Sequence, residues 1–167
     1  MQKKIFQILV DNTSGVLSRI SGLFSRRGYN IESITAGVTA DDRFTRITIV
    51  ASGDDIILEQ IEKQVAKLED VKSIKELNPE LSVYRELALV KVKIEPAKRQ
   101  DILTMAEIFR CKTIDISHNS LMVEITGDQS KINAFLRLLE GYEILELART
   151  GLAGLVRGTE DVVFLEE

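Results

Sequence analysis

Apolar positions along this chain first alternate, then recur every three or four residues, then alternate again, and the whole progression runs through twice. Residues 5–10 (Ile-Phe-Gln-Ile-Leu-Val) are rich in β-branched and aromatic side chains. They are closed by Asp11-Asn12-Thr13-Ser14-Gly15, which predicts a strand and its end. Val16, Ile20, Leu23 and Phe24 then recur at helical spacing, with Ser18, Arg19, Ser21, Ser25 and Arg26 between them. Arg26 and Arg27 complement the negative end of that helix, and Gly28 is placed to close it. Strands are predicted over residues 31–38 and 44–51, joined by a turn at 39–43. In the second of these, Ile47 and Ile49 fall on one face and Thr48 on the other. Gly53-Asp54-Asp55 opens a helix whose apolar side holds Ile57, Leu58, Ile61, Val65 and Leu68. A strand over 71–77 completes the order βαββαβ.

Pro79 disfavours helix at the residue before it and marks a boundary. The order then repeats. A strand over 87–94 puts Ala88, Val90, Val92 and Ile94 on one face, and Pro96 sits near a helix start, where proline is tolerated. Ile102, Met105, Ala106 and Phe109 give the helical face. Strands over 113–117 and 121–126 flank a tight turn at His118-Asn119. A second helix carries Ile132, Phe135, Leu136 and Leu139, Gly141 ends it, and a last strand is predicted over 142–148. The fold class is therefore α+β: two tandem ferredoxin-like βαββαβ domains, each a four-stranded antiparallel sheet with two helices on one face. The division reads 1–78 for the first domain, 79–85 for a linker, 86–158 for the second domain with a C-terminal arm, and 159–167 for a tail. The arm, residues 149–158, has three glycines and neither period, so it reads either as a loosely held tail or as an arm that orders on a partner. Glu160, Asp161, Glu166 and Glu167 are expected in solvent.

Composition removes most rival functions. The hydrophobic share of 44% and charged share of 29% are those of a globular protein, with no apolar run near the ~18 residues of a membrane span. The apolar run at 5–10 is too short for a secretory signal, so a cytoplasmic location away from membranes is the default. A net charge of −4 argues against nucleic acid. RNA-binding domains share this element order but stack bases on sheet aromatics; Phe44-Thr45-Arg46-Ile47-Thr48-Ile49-Val50 lacks the required glycine and the paired aromatics. One cysteine, Cys111, and one histidine, His118, make neither a disulfide nor a zinc cluster. A Cys–His catalytic pair would lack its third, orienting group, so Cys111 reads as an apolar filler and His118 as a turn residue. The acidic pairs Asp41-Asp42 and Asp54-Asp55 sit where a turn and a helix start favour aspartate anyway. Residues 151–158 do not form a phosphate loop, because no Gly-Lys-Ser/Thr follows.

Asp11 to Leu17 remains. Gly15 lets a ligand approach the backbone, and the N–H groups of Gly15, Val16 and Leu17 are first-turn donors that suit a carboxylate. Asp11, Asn12 and Asn30 offer oxygens for an ammonium, and Val16, Leu17 and Ile31 offer an apolar wall. An amino acid has those three parts. Spacing alone nevertheless favours plain capping, with Thr13 or Ser14 as the N-cap and Asn30 in a turn.

The stretch resembles the first loop of an ACT domain, the small-molecule regulatory βαββαβ module, although the proline common in that loop is missing. Asn12-x-Ser14-Gly15-x-Leu17-Ser18-Arg19, then Gly22-Leu23-Phe24-Ser25-x-Arg27-Gly28-Tyr29-Asn30-Ile31-Glu32-Ser33, closely resembles the regulatory (small) subunit of acetolactate synthase, also called acetohydroxyacid synthase. Leu58-Glu59-Gln60-Ile61-Glu62-Lys63-Gln64, Arg85-Glu86-Leu87, Glu107-Ile108-Phe109-Arg110, Ile114-Asp115 and the Arg149 to Gly158 arm fit as well. The resemblance implies a chain without catalytic activity and without cofactors of its own. It implies binding to a catalytic subunit that carries thiamine diphosphate, Mg²⁺ and FAD, activation of that subunit, and feedback inhibition by valine or another branched-chain amino acid. It further implies a homodimer through the ACT domains. The ligand would lie between Asn12, Gly15, Val16 and Leu17 of one protomer and Asn30 and Ile31 of the other. The uncovered face of the first sheet and the glycine-rich arm are the candidates for contact with the catalytic subunit. The alternative is a free-standing ACT-type sensor or transcription regulator, for which a basic DNA-reading helix is expected and none is visible.

Overall fold

The computed structural model describes residues 1–159. In chain order the elements are β1 (Gln2–Asp11), α1 (Val16–Arg27), β2 (Asn30–Val38), β3 (Phe44–Gly53), α2 (Asp55–Val65), β4 (Val71–Glu76), β5 (Ser82–Lys93), α3 (Arg99–Ile108), β6 (Lys112–Ile116), β7 (Ser120–Gly127), α4 (Gln129–Leu138), β8 (Ile144–Arg149) and β9 (Ala153–Val156). They form two compact units: Met1–Val83 with residues 152–159, and Tyr84–Gly151.

The first unit has an antiparallel sheet in the order β2-β3-β1-β4, the ferredoxin-like arrangement expected. Phe6, Ile8 and Val10 of β1 and Ile47, Ile49 and Ala51 of β3 alternate onto the helix side. There they meet Val16, Ile20, Leu23 and Phe24 of α1 and Leu58, Ile61 and Val65 of α2. Each large side chain so buried contributes about 1.5–3 kcal/mol. Gly28, at φ +68°, closes α1 in the left-handed conformation, and the following Tyr29 ring meets Phe24 edge-on at 5.6 Å. α2 is capped as its sequence predicts, the Asp54 carboxylate accepting from the Ile57 N–H at 2.9 Å.

The other face of this sheet differs from expectation. Gln7 and Thr48 are polar, point away from the helices, and are nonetheless buried. β9 lies there, its Gly154 carbonyl accepting from Gln7 Nε2 at 2.9 Å and its Gly154 N–H donating to Thr48 Oγ1 at 3.4 Å. Arg157 N–H donates to the Leu81 carbonyl at 2.8 Å. The glycine-rich arm is therefore neither a loose tail nor a free arm within the described residues, and the face of the first sheet is not bare. The expectations for the acidic tail, at Glu160, Asp161, Glu166 and Glu167, lie outside the described residues.

The second unit repeats the plan with the order β6-β7-β5-β8. Ala88, Val90 and Val92 of β5 and Leu121, Val123 and Ile125 of β7 pack against Ile102 and Ala106 of α3 and Ile132 and Phe135 of α4. β5 starts at Ser82, so most of the stretch read as a linker is strand, preceded by a turn in which the Leu81 N–H reaches the Asn78 carbonyl at 3.1 Å. Pro96 opens a single 3-10 turn before α3 rather than the helix itself. Tyr142 is held in the turn before β8 by its N–H to the Leu139 carbonyl, 3.0 Å, and packs on the core instead of starting the strand. Glu86, buried at the start of the unit, meets the Arg149 guanidinium in two parallel hydrogen bonds of 2.7 and 3.0 Å.

Candidate functional site

β1 runs into the first loop at Asp11, and three neighbours hold that loop. The Asp11 N–H donates to the Asp70 carbonyl at 2.9 Å, and the Asp11 carboxylate pairs with Lys72 at 3.0 Å. Asn12 is bound at both ends. Its N–H donates to the Arg43 carbonyl at 2.7 Å, its Nδ2 to the Asp42 carbonyl at 2.8 Å, and its Oδ1 accepts from Thr45 Oγ1 at 3.2 Å. The Asn12 side chain thus ties the loop to the β2–β3 hairpin.

Neither Thr13 nor Ser14 caps α1. Gly15 takes the N-cap place at φ +85°, and among the described residues no side-chain capping bond is made there. The first four N–H groups of a helix have no intrahelical partner, so the positive end of α1 is left open to an external acceptor. Arg19 stands beside it. Its Nε donates to Asp70 Oδ2 at 2.5 Å and its guanidinium reaches the Ser14 carbonyl at 3.4 Å. That bond holds the Asp70 carboxyl below the usual carboxylate range. A Cβ at position 15 would lie 2.8 Å from the Arg19 guanidinium, in a backbone conformation that side chains other than glycine seldom adopt.

A hollow of about 360 Å³ opens here, lined by Asn12, Gly15, Val16, Leu17, Thr45 and Ile47 among others. That is the small end of the range for ligand sites. Val16 is buried and Leu17 is half exposed, so the wall is apolar on one side and backbone N–H on the other. Asn12, Gly15, Val16 and Leu17 are thus brought together.

Asn30 and Ile31 are not brought to them within one chain. Asn30 pairs with Ser52, and Gln2 pairs with Gly53, at one end of the sheet; Asp11 pairs with Phe44 at the other end. The length of β1 between them is roughly 30 Å at ~3.3 Å per residue. Asn30 lines a different hollow, of about 530 Å³, with Gly28, Ser52 and Gly53. Its Nδ2 donates to Ser52 Oγ at 2.8 Å. Ile31 turns inward and packs on the core. Asp70, Thr45 and Ser52 carry no sign of a site role in the sequence; strand register brings Thr45 and Ser52 beside the loop and Asn30, and hydrogen bonds to Asp11 and Arg19 bring Asp70 there.

Among the described residues no cluster of three or more His, Cys, Asp or Glu could hold a metal ion, and no helix is long and apolar enough to cross a membrane. Cys111 is half-buried and its thiol is pushed up to about 11 by desolvation, the opposite of an activated nucleophile.

Residues 6–73 match the family model of the small-subunit-like ACT domain of acetohydroxyacid synthase, and residues 85–158 match that of the small subunit of acetolactate synthase. The chain belongs to the acetolactate synthase small-subunit family. The small subunit of Mycobacterium leprae is 44% identical over 155 residues, 93% of this chain and 92% of that protein. The isozyme 3 small subunit of Salmonella typhimurium is 44% identical over 157 residues, covering 93% of this chain and 96% of its own. The crystal structure of the small subunit from Thermotoga maritima superposes with a TM-score of 0.88 at 40% identity, over 95% of this chain and 99% of that one. This chain is thus a regulatory small subunit with an ACT domain, and its family implies a catalytic subunit as partner.

Proposed function

We propose that this small subunit binds valine, or another branched-chain amino acid, at a site shared by two copies of the chain, and that occupancy governs how it activates the thiamine-diphosphate-dependent catalytic subunit. The observation that carries the proposal is the open N-terminus of α1 at Gly15, set in a small hollow with an apolar wall. First-turn N–H groups receive the carboxylate, Val16 and Leu17 receive the aliphatic side chain, and the ammonium takes an acceptor from the second copy.

The separation of Asn30 from this loop supports the two-copy arrangement. β2 lies at the edge of its sheet, pairing only with β3 in the described residues. Antiparallel pairing of β2 with β2 of a second copy sets the Asn30 end of one against the Val38 end of the other. Val38 pairs with Thr45, the residue whose hydroxyl holds Asn12. The Asn30 and Ile31 of one copy then adjoin the Asn12, Gly15, Val16 and Leu17 of the other. A ligand that bridges two chains binds two dimer arrangements unequally and so shifts their balance. A coupling of ~1–3 kcal/mol suffices for inhibition of ordinary strength.

Calorimetry of the full chain with valine, leucine and isoleucine tests the reading, followed by copurification with the catalytic subunit and assay of its activation. Binding of at least one of the three and activation of the partner are expected; binding of none, with no activation, ends the proposal. Gly15→Asp places a carboxylate where the ligand's own must sit, and is expected to abolish binding in a chain that still melts cooperatively. The free-standing sensor reading has no observation in its favour once both halves of the chain match the small-subunit family.

A further inference from the structure

Thr45, paired with Val10 in the β1–β3 register, lines the hollow at the open end of α1 together with Gly15, Val16 and Leu17. Two hydrogen bonds in series fix the direction of its hydroxyl proton. The Asp42 carbonyl can only accept, so the end of the Asn12 amide 2.8 Å from it is the donor, Nδ2. That leaves Asn12 Oδ1 turned toward Thr45. An amide oxygen also only accepts, so the Thr45 hydroxyl, 3.2 Å away, is the donor of this pair. The proton is thereby committed to Asn12, and Thr45 Oγ1 makes no other hydrogen bond among the described residues. What Thr45 retains for a ligand is lone pairs. We infer that Thr45 is a specificity-determining residue of the effector site, presenting an acceptor that selects the ammonium of an amino acid. The inference rests on the shared amino-acid site proposed above.

Neither the carboxylate nor the branched side chain distinguishes an amino acid from the simple acid of the same skeleton; only the amino group does. An ammonium has three donors and no acceptor. One donor goes to the acceptor of the second copy, and another reaches Thr45 Oγ1 from within the hollow. A ligand with C–H at that position leaves the Thr45 lone pairs without a donor. A ligand with a carbonyl oxygen there sets acceptor against acceptor. A hydrogen bond from a charged donor is stronger than one between neutral groups, so the zwitterion is favoured over both. The selection needs the hydroxyl and not the threonine methyl, so serine at position 45 serves as well, and valine, of the same shape, does not.

The test is titration of the full-length chain and its Thr45→Val and Thr45→Ser variants with valine and with 3-methylbutanoate, which keeps the carboxylate and isopropyl group of valine and lacks the amino group. Amide NMR spectra of the ligand-free chains report whether the loop keeps its place. Thr45→Val is expected to weaken valine roughly tenfold, the low end for a hydrogen bond to a charged group. It is expected to leave 3-methylbutanoate binding and the Gly15, Val16 and Leu17 resonances unchanged. Thr45→Ser is expected to bind valine as the unaltered chain does. A loss of valine matched by 3-methylbutanoate, or accompanied by displaced loop resonances, would mean that the hydroxyl only holds Asn12 in place. Unchanged valine affinity in Thr45→Val, or an equal loss in Thr45→Ser, would deny the acceptor role. Each of these results overturns the inference while the shared site stands. If the unaltered chain binds no branched-chain amino acid, the site reading fails and the inference with it.

Discussion

Gln7 Nε2 donates to the carbonyl of Gly154, 2.9 Å away and 147 positions further along the chain, and both groups are buried. With the Gly154 N–H directed to Thr48, this bond holds the strip after Gly151 on the first sheet. In a buried setting, an acceptor left without its donor costs about 1–3 kcal/mol. Gln7→Leu keeps the volume and removes the donor. It is expected to lower the urea midpoint by that amount of stability without changing the slope of the transition. A variant that unfolds at the original midpoint would mean that the contact contributes nothing.

Glu86 and Arg149 make the second long-range polar pair, and its asymmetry sets the prediction. The Glu86 side chain is 2% exposed and that of Arg149 is 32% exposed. Arg149→Met therefore strands a buried carboxylate. The expected loss is about 3 kcal/mol, at the low end for buried pairs because the arginine is partly in water. Joining Glu86→Leu to Arg149→Met is expected to recover most of it, since two apolar groups need no partner. Chemical denaturation of the two single variants and the double variant closes the cycle; additive losses would deny the coupling.

The Arg19–Asp70 pair beside Gly15 makes the loop sensitive to acid. Asp70 is held below its ordinary value by the hydrogen bond from Arg19. A carboxylate so lowered adds stability that is complete above the ordinary carboxylate range and is lost as pH falls through its lowered value. Carboxyl NMR is expected to show Asp70 titrating below the ordinary carboxylate range, and returning toward that range in Arg19→Gln. Because the pair lies in solvent, the shift should shrink in high salt. An Asp70 that titrates the same in both proteins would show that the pair is not formed.

Cys111 is expected to be slow toward alkylating reagents. Desolvation pushes its thiol up to about 11, so at pH 8 little of it is thiolate. Iodoacetamide labelling followed by mass spectrometry should go to completion in denaturant and lag far behind in the native chain. Equal rates would place Cys111 in solvent.

Cys111 and His118 also illustrate what was legible beforehand. Their neighbours in sequence already argued against catalysis, and the structure keeps His118 in the hairpin turn between β6 and β7. The two βαββαβ units were equally legible, because each strand and helix announces its own period over a few turns. The cap of α1 was not. Thr13 and Ser14 are the favoured residue types, yet Gly15 holds the cap position. Loop geometry, set by Asp70, Lys72 and the β2–β3 hairpin, overrode local preference there.

What the sequence determined by itself is whatever depends on neighbours: strand and helix periods, the duplication, and the glycine-bearing first loop. Only the tertiary structure decided which of these meet. Asn12 and Asn30 look alike in the sequence, as polar residues flanking one helix. The register of β1 and β3 sends them to opposite ends of a sheet. The arm has no period because Gly154 contributes backbone rather than a side chain, so nothing local marks it as a strand. Its place follows from hydrogen bonds to Gln7 and Thr48, more than a hundred residues away. Such bonds form only once both partners are buried together, and burial is a property of the folded chain.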